Sequence, residues 1–182
     1  MKIDNSLGDG VIFAADDYAG FVRRFVALAV DAAILIVIVT IMWVGLAMVF
    51  WNAESKVNPE AVFFPACLGI AWLYLVPVKR SKFGTVAYRL LDMRIMTIKG
   101  QRPSLFIMTL RLVIAIGWPF GLADFVWIGV DSERRSIHDC YAGTCVVRRS
   151  AKPLGVGPMH LTYYCGAGMT LVYPRVVRLG IA

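Results

Sequence analysis

Arg24 and Asp31 stand seven residues apart in the stretch FVRRFVALAVDAAILIV, residues 21 to 37, where every other residue except Arg23 is apolar. Seven residues make two helical turns, so the guanidinium and the carboxylate share one helix face about 10 Å apart along the axis. An Asp at the centre of a membrane helix costs about 2.5–3.5 kcal/mol on translocon scales, and somewhat less two turns from the interface. Asp31 therefore requires partners or water. Two chemistries meet that requirement: a carboxylate that binds or relays a cation or proton along a hydrated path, or a buried pairing group that holds helices together. Arg23 lies at the edge of the same stripe, and either arginine can snorkel toward the interface while also fixing topology. The small residues Ala27, Ala32 and Ala33 let another helix approach this face closely.

Three further charges invite the same question. Asp139 follows His138 and lies downstream of Arg134 and Arg135, a setting that suits either pairing with cations at the cytoplasmic mouth or capping a turn. Contact between Asp139 and Arg23 or Arg24 would join the first apolar helix to the tail in one charge network. Asp124 sits in an apolar run near a Gly-Pro break, and Arg111 opens that run; broken helices of this kind expose carbonyls suited to cations, while an Asp at the interface would simply meet headgroups and water. Other chemistries find no support. The four cysteines, Cys67, Cys140, Cys145 and Cys165, lack metal-ligand spacing even with His138 and His160 added, and disulfides are not expected on a reducing side. Ser136, His138 and Asp139 are too crowded for a catalytic triad, and no Gly-rich phosphate loop is present. Neither an enzyme activity nor a cofactor is expected.

The elements that must position these residues are written for lipid. The chain is 59% hydrophobic and 17% charged, too apolar for an ordinary soluble domain, which is about one quarter charged. Residues 25 to 51 carry a single charge and are long enough to span, with Trp43 and Trp51 suited to an interfacial belt. Residues 61 to 78, AVFFPACLGIAWLYLVPV, form a second span that tolerates Pro65 and Pro77. A third run, 112 to 130, is broken by Gly117, Pro119 and Gly121, and reads as a kinked span or as two half-helices that turn back.

Residues 1 to 20 hold Asp4, Asp9, Asp16 and Asp17 against Lys2, unlike a cleavable leader, so the first span is expected to stay attached. Between Lys79 and Arg111 the chain carries eight cations against the lone Asp92, which places this connector and the N-terminus on the cytoplasmic side. The basic tail after Val130 favours a re-entrant or doubly crossing third segment over a single third crossing. The connector, with RLLDMRIMTI and a Gly/Pro turn, reads as an interfacial amphipathic piece. The net charge of +7 flanks spans instead of forming a stripe, so anionic lipid is the expected partner and nucleic acid is not. Residues 153 to 182 are too interrupted to span and read as a loose tail. No internal repeat is visible, so a path through so small a bundle would need a homo-oligomer or a membrane partner protein.

Three stretches together, FVRRFVALAVD, FGTVAYRLLDMRIM and RRSIHDCYAGTCVV, resemble the RDD family of bacterial membrane proteins over about residues 18 to 147. The resemblance assigns the helix arginine to Arg24 or Arg23, the first aspartate to Asp31 and the second to Asp139. The middle stretch departs from the family's usual Thr-Pro-Gly-Lys before Arg-Leu-Leu, with Thr85, Val86, Ala87 and Tyr88 preceding Arg89, Leu90 and Leu91. For this family, transport of an unidentified ligand has been suggested and sodium/proton exchange claimed for some members. The expectation is thus an all-α membrane protein of the bacterial cell membrane. It is a small bundle of two spans, a Pro/Gly-broken third segment and an interfacial amphipathic connector, divided into a cytoplasmic segment (1–17), an RDD-like transmembrane domain (18–150) and an irregular tail (151–182). Its expected role is transport of a cation or small solute through an Arg/Asp site, with a non-transporting scaffold or accessory subunit as the alternative.

Overall fold

A computed structural model describes residues 7–52, 58–117, 124, 127–129, 131–166 and 169–177. Its dominant feature is a pair of apolar helices. Helix α1 (Phe21–Asn52) follows directly from the long uncharged run. Helix α2 (Pro59–Leu73) begins where Asn58 accepts a hydrogen bond from the Glu60 amide at 3.0 Å and Pro59 presets the first helical φ. A π-helical turn (Tyr74–Val78) extends α2 around Pro77, which has no N–H to offer a regular ladder. Two stretches are long and apolar enough to cross a membrane, Phe21–Phe50 and Pro59–Val78, and in the most apolar part of each almost no residue is buried within the chain. A core helix of a soluble protein would be covered.

The helices run antiparallel, since Trp43 meets Phe63 with ring centroids 4.7 Å apart while Asp31 reaches Tyr74 and Lys79. The start of α1 and the end of α2 therefore lie at the same end of the molecule. There the chain makes helix α3 (Val86–Leu90), capped by Thr85, strand β2 (Met93–Thr97) and helix α4 (Leu105–Gly117), with Ser104 accepting from the Ile107 amide at 3.2 Å. Helix α5 (Ile137–Tyr141) and strand β3 (Thr144–Arg148) follow. Strand β3 pairs antiparallel with β2, Thr97 opposite Thr144 and Met93 opposite Arg148. On its other side it accepts the chain entering α1, through a Tyr18–Val147 bridge and the Ala19 amide on the Val146 carbonyl at 2.9 Å.

A second sheet has the order β1-β4-β5, built from β1 (Asp9–Ile12), β4 (Gly155–Gly166) and β5 (Met169–Val176), all antiparallel. Met93, Ile95 and Val146 from the first sheet pack with Ala27, Val76 and Tyr88 into a core under the ends of α1 and α2.

These sheets correct the all-α expectation. Their strands fall in the segment read as a cytoplasmic N-terminus (β1), in the interfacial amphipathic connector (β2), in the transmembrane domain (β3) and in the irregular tail (β4 and β5). The connector splits into the short α3 and the strand β2, whose alternate residues Met93 and Ile95 are buried. In the tail, the Gly and Pro residues that rule out a membrane span are compatible with strands, and Thr162, Tyr163, Tyr164, Val172 and Tyr173 favour them. Pro174 lies on β5, which is at a sheet edge, where no ladder donor is missed. Of the third hydrophobic run, the described residues hold α4, which begins at Leu105, ahead of the run, and covers about 20 Å over its 13 residues. The Gly-Pro break at Pro119 and Gly121 lies outside the described residues.

Gly157 shows how tightly the second sheet closes. A Cβ there would stand 2.4 Å from the carbonyl oxygen of Val177, a backbone atom that cannot rotate away. Gly157→Ala should lower stability by about 1–3 kcal/mol, as overpacking does. Thermal unfolding of the purified chain checks this, and an unchanged midpoint would mean that the strand pair is looser than described.

Candidate functional site

Entry of the chain along β3 places the first turn of α1 against α5, and Arg24 with it. Arg24 Nη1 pairs with Oδ2 of Asp139, Arg24 Nε donates to the Ala19 carbonyl at 2.9 Å, and Arg24 Nη2 donates to the Arg134 carbonyl at 2.7 Å. From α4, Arg111 Nη2 meets the other carboxylate oxygen at 2.6 Å, and Thr144 Oγ1 donates to that oxygen at 3.0 Å. Asp139 is wholly buried. It also completes a capping box with Ser136, accepting from the Ser136 amide at 3.4 Å while the Ser136 hydroxyl accepts from the Asp139 amide at 3.3 Å. Gly143, at φ +60°, ends α5 in the left-handed conformation and turns Thr144 back toward the same carboxylate. The sequence alternatives of cap and ion pair are both realised by one side chain.

Burial pushes the Asp139 carboxyl up, but Arg111 and Arg24, with a smaller contribution from His138, overcome it and hold the group far below the usual carboxylate range. Asp124 extends the cluster. It is buried and accepts from the His138 amide at 3.0 Å, and its second oxygen lies 2.5 Å from His138 Nδ1. The other ring nitrogen of His138, Nε2, lies 3.1 Å from Arg111 Nη2, so the imidazole bridges Asp124 and the Arg111 guanidinium.

Asp31 belongs to a different cluster. Only 1% exposed, it accepts from Tyr74 Oη at 3.0 Å on one oxygen and from Lys79 Nζ at 3.3 Å and Thr85 Oγ1 at 3.1 Å on the other. The π turn makes this possible: in an i→i+5 helix residues five apart align, so Tyr74 and Lys79 both face α1. Thr85 serves twice, since its hydroxyl also accepts from the Tyr88 amide at 3.4 Å to start α3. On α1 the buried residues are Arg24, Ala27 and Asp31, a single stripe with the small residue between the two charges. Asp31 therefore lies level with Lys79, at the charged end of the π-helical extension of α2.

Of the residues singled out in the sequence, Arg24, Asp139, Asp124 and Arg111 come together, Asp31 stands apart with Lys79, and Arg23 joins neither. Arg23 lines an open cavity of about 260 Å³ with Tyr18, Phe21, Arg134 and Arg148 among others. A second cavity of about 240 Å³ is lined by Lys79, Arg80, Lys82, Arg94, Arg102 and Arg149. The partners Tyr74, Lys79, Thr85 and Thr144 were missed by sequence reasoning. The π turn at Pro77 and the Thr at each short helix boundary were the available signals. A third buried group was also missed. Arg135 lies 3.4 Å from Asp131 and 3.1 Å from Glu133, donates to the Pro174 carbonyl at 2.9 Å and stacks 5.2 Å above the Tyr173 ring. Burial pushes the Cys140 and Cys145 thiols up to about 12, so both stay protonated and poorly suited as nucleophiles or metal ligands.

The family model for the RDD family matches residues 18–143, more than half of the 182-residue chain. The chain is similar to the uncharacterized protein YckC of Bacillus subtilis (strain 168), with 29% identity over 134 residues covering 70% of this chain and 83% of that one. No solved structure matches it. With Arg24, Asp31 and Asp139 inside the matched region and two helices apolar enough to cross a bilayer, the chain is a membrane protein that belongs to the RDD family.

Proposed function

We propose that this chain is a non-transporting membrane scaffold, in which α1 and α2 anchor the protein and the buried charges fix the two sheets to the helix ends. It crosses the membrane twice. The helix ends bearing Arg23, Arg24, Lys79, Arg80 and Lys82 face the cytoplasm, and the N-terminus and both sheets lie on that side. The observation that carries the reading is the saturation of both carboxylates: each oxygen of Asp31 and of Asp139 is bonded to a group of this same chain. A carboxylate so occupied ties elements together, as buried polar groups do between membrane helices.

Transport of a cation or small solute through these charges is the competing reading, and one observation favours it. Lys79 both pairs with Asp31 and lines the open cavity, so it forms a link from solvent to the buried carboxylate. Against a cation, that cavity is lined by six positive side chains, which repel it at the mouth.

Flux separates the two. Purified chain in liposomes should pass no more sodium or protons than protein-free liposomes. Asp31→Asn should remain folded and lose about 1.5–3 kcal/mol, the range for a hydrogen bond to a charged group. An Asn oxygen still accepts from Tyr74 or Thr85, and the Lys79 side chain, 17% exposed, can turn into the cavity. Wild-type flux that disappears in a folded Asp31→Asn chain would replace the scaffold with a transporter.

A further inference from the structure

We infer that the basic cavity after the second span binds the phosphate of an anionic phospholipid headgroup. It is lined by Lys79, Arg80, Lys82, Arg94, Arg102 and Arg149, and no Asp or Glu lines it. Among the described residues only Lys79 of the six pairs with a carboxylate. Three of the arginines are fixed without being neutralised: Arg80 Nε donates to the Pro103 carbonyl at 2.6 Å, Arg94 Nη2 to the Ala151 carbonyl at 2.7 Å and Arg149 Nη2 to the Phe83 carbonyl at 2.8 Å.

A backbone carbonyl holds a guanidinium in place but removes none of its charge, and it leaves the rest of the five-donor fork for a phosphate oxygen. Arg94 Nε is enclosed and makes no hydrogen bond among the described residues, so an acceptor is wanted there. Such an array of oriented, uncompensated donors in one concavity is the arrangement that recognises a phosphate group.

Position identifies the source of the phosphate. Lys79 is the first residue after the span Pro59–Val78, so the cavity opens at the level where headgroups lie. Apolar side chains flank it along the chain on both sides. Phe83, 68% exposed, precedes the lining residue Gly84, and Leu105 and Phe106, the latter 76% exposed, open α4 just after the Pro103 carbonyl that holds Arg80. A soluble polyphosphate would have no use for these side chains, whereas the acyl chains of a lipid would cover them. The assignment does not depend on whether the protein transports anything.

The test uses the full purified chain in neutral detergent micelles doped with dioleoyl phosphatidylglycerol, dioleoyl phosphatidylcholine or no lipid, with inorganic pyrophosphate as a separate arm. Thermal unfolding midpoint and lipid adducts in native mass spectrometry are read together. Phosphatidylglycerol should raise the midpoint and be retained as an adduct, and phosphatidylcholine should do neither. Lys82→Gln combined with Arg102→Gln removes two exposed side chains that have no partner among the described residues, so folding should be unaffected. It should weaken phosphatidylglycerol binding roughly 30-fold, the effect of two basic groups at an anionic surface. A charge-matched control, Arg89→Gln with Lys152→Gln outside the cavity, should bind like wild type. Equal weakening by the control would mean diffuse surface charge and overturn the site. Protection by pyrophosphate equal to that by the lipid, or equal retention of phosphatidylcholine, would overturn the headgroup assignment.

Discussion

Asp139→Asn should destabilise the folded chain by about 3–5 kcal/mol, the penalty for removing one member of a buried ion pair. The expectation sits at the top of that range because one carboxylate compensates two guanidinia. Arg24 and Arg111 would both stay buried with a neutral amide between them, and its NH2 cannot accept from either. The α5 capping box and the Thr144 hydrogen bond depend on the same oxygens and would weaken together. Denaturant unfolding in detergent measures the loss, and a change under about 1 kcal/mol would show that the network is not what joins α1 and α4 to α5. Adding Arg111→Met to Asp139→Asn should cost less than the sum of the single changes, since the second removes a cation that the first orphaned.

The pH dependence follows from the same charges. Asp139 has its carboxyl lowered in the folded chain, so the stability it contributes is complete above the unfolded carboxylate value of about 3.9 and is lost as pH falls below it toward the folded value. Between neutral pH and about pH 5 this group should leave the unfolding midpoint unchanged. A midpoint that falls steeply in that interval in wild type but not in Asp139→Asn would contradict the pairing.

Arg135→Met is the second large effect, again about 3–5 kcal/mol. Burial lowers the readiness of Arg135 to carry its proton, but the carboxylates of Glu133 and Asp131 more than reverse this, so the guanidinium is firmly cationic. Its removal takes one cation from the buried carboxylates of Asp131 and Glu133 and releases the Pro174 carbonyl, the link from this loop to strand β5. Met fills a similar volume, so the loss reports charge and not a cavity. Hydrogen exchange should show β5 opening first. If β5 and β3 are equally deprotected, Arg135 does not serve the second sheet in particular.

The helices were legible in the sequence because lipid imposes one simple demand, a long uncharged run, and residues 25 to 51 and 61 to 78 meet it. The Arg24–Asp139 contact was legible as a question of charge: a buried carboxylate must find a cation, and few stood near. The partner of Asp31 was not. Helical spacing drew attention to Arg24 on the same face, but two turns hold those groups too far apart. The π turn that presents Tyr74 and Lys79 is a response to Pro77 that periodicity at 3.6 residues does not express. The sheets were obscured by composition. In a chain this apolar, MRIMT and TCVVR look like fragments of lipid-facing helix, and only the pairing of residues about 50 positions apart reveals them as strands. For 155 to 176 the Gly and Pro residues counted rightly against a span, but that says nothing against a hairpin.

The two legs of the helix hairpin are unequal. At 1.5 Å per residue α1 is about 48 Å long, while the 20 residues from Pro59 to Val78 reach about 30 Å, the thickness of the oily layer. Much of the surplus lies at the start of α1, where Phe21, Val22, Phe25 and Leu28 are exposed, and the rest lies past Trp43, which meets Phe63 near the start of α2. With both legs across a bilayer, as proposed, a greasy stilt of that length is accommodated by leaning of the pair or by local swelling of the lipid around it. The bilayer near this protein should therefore be deformed on one flank only, the one that carries α1.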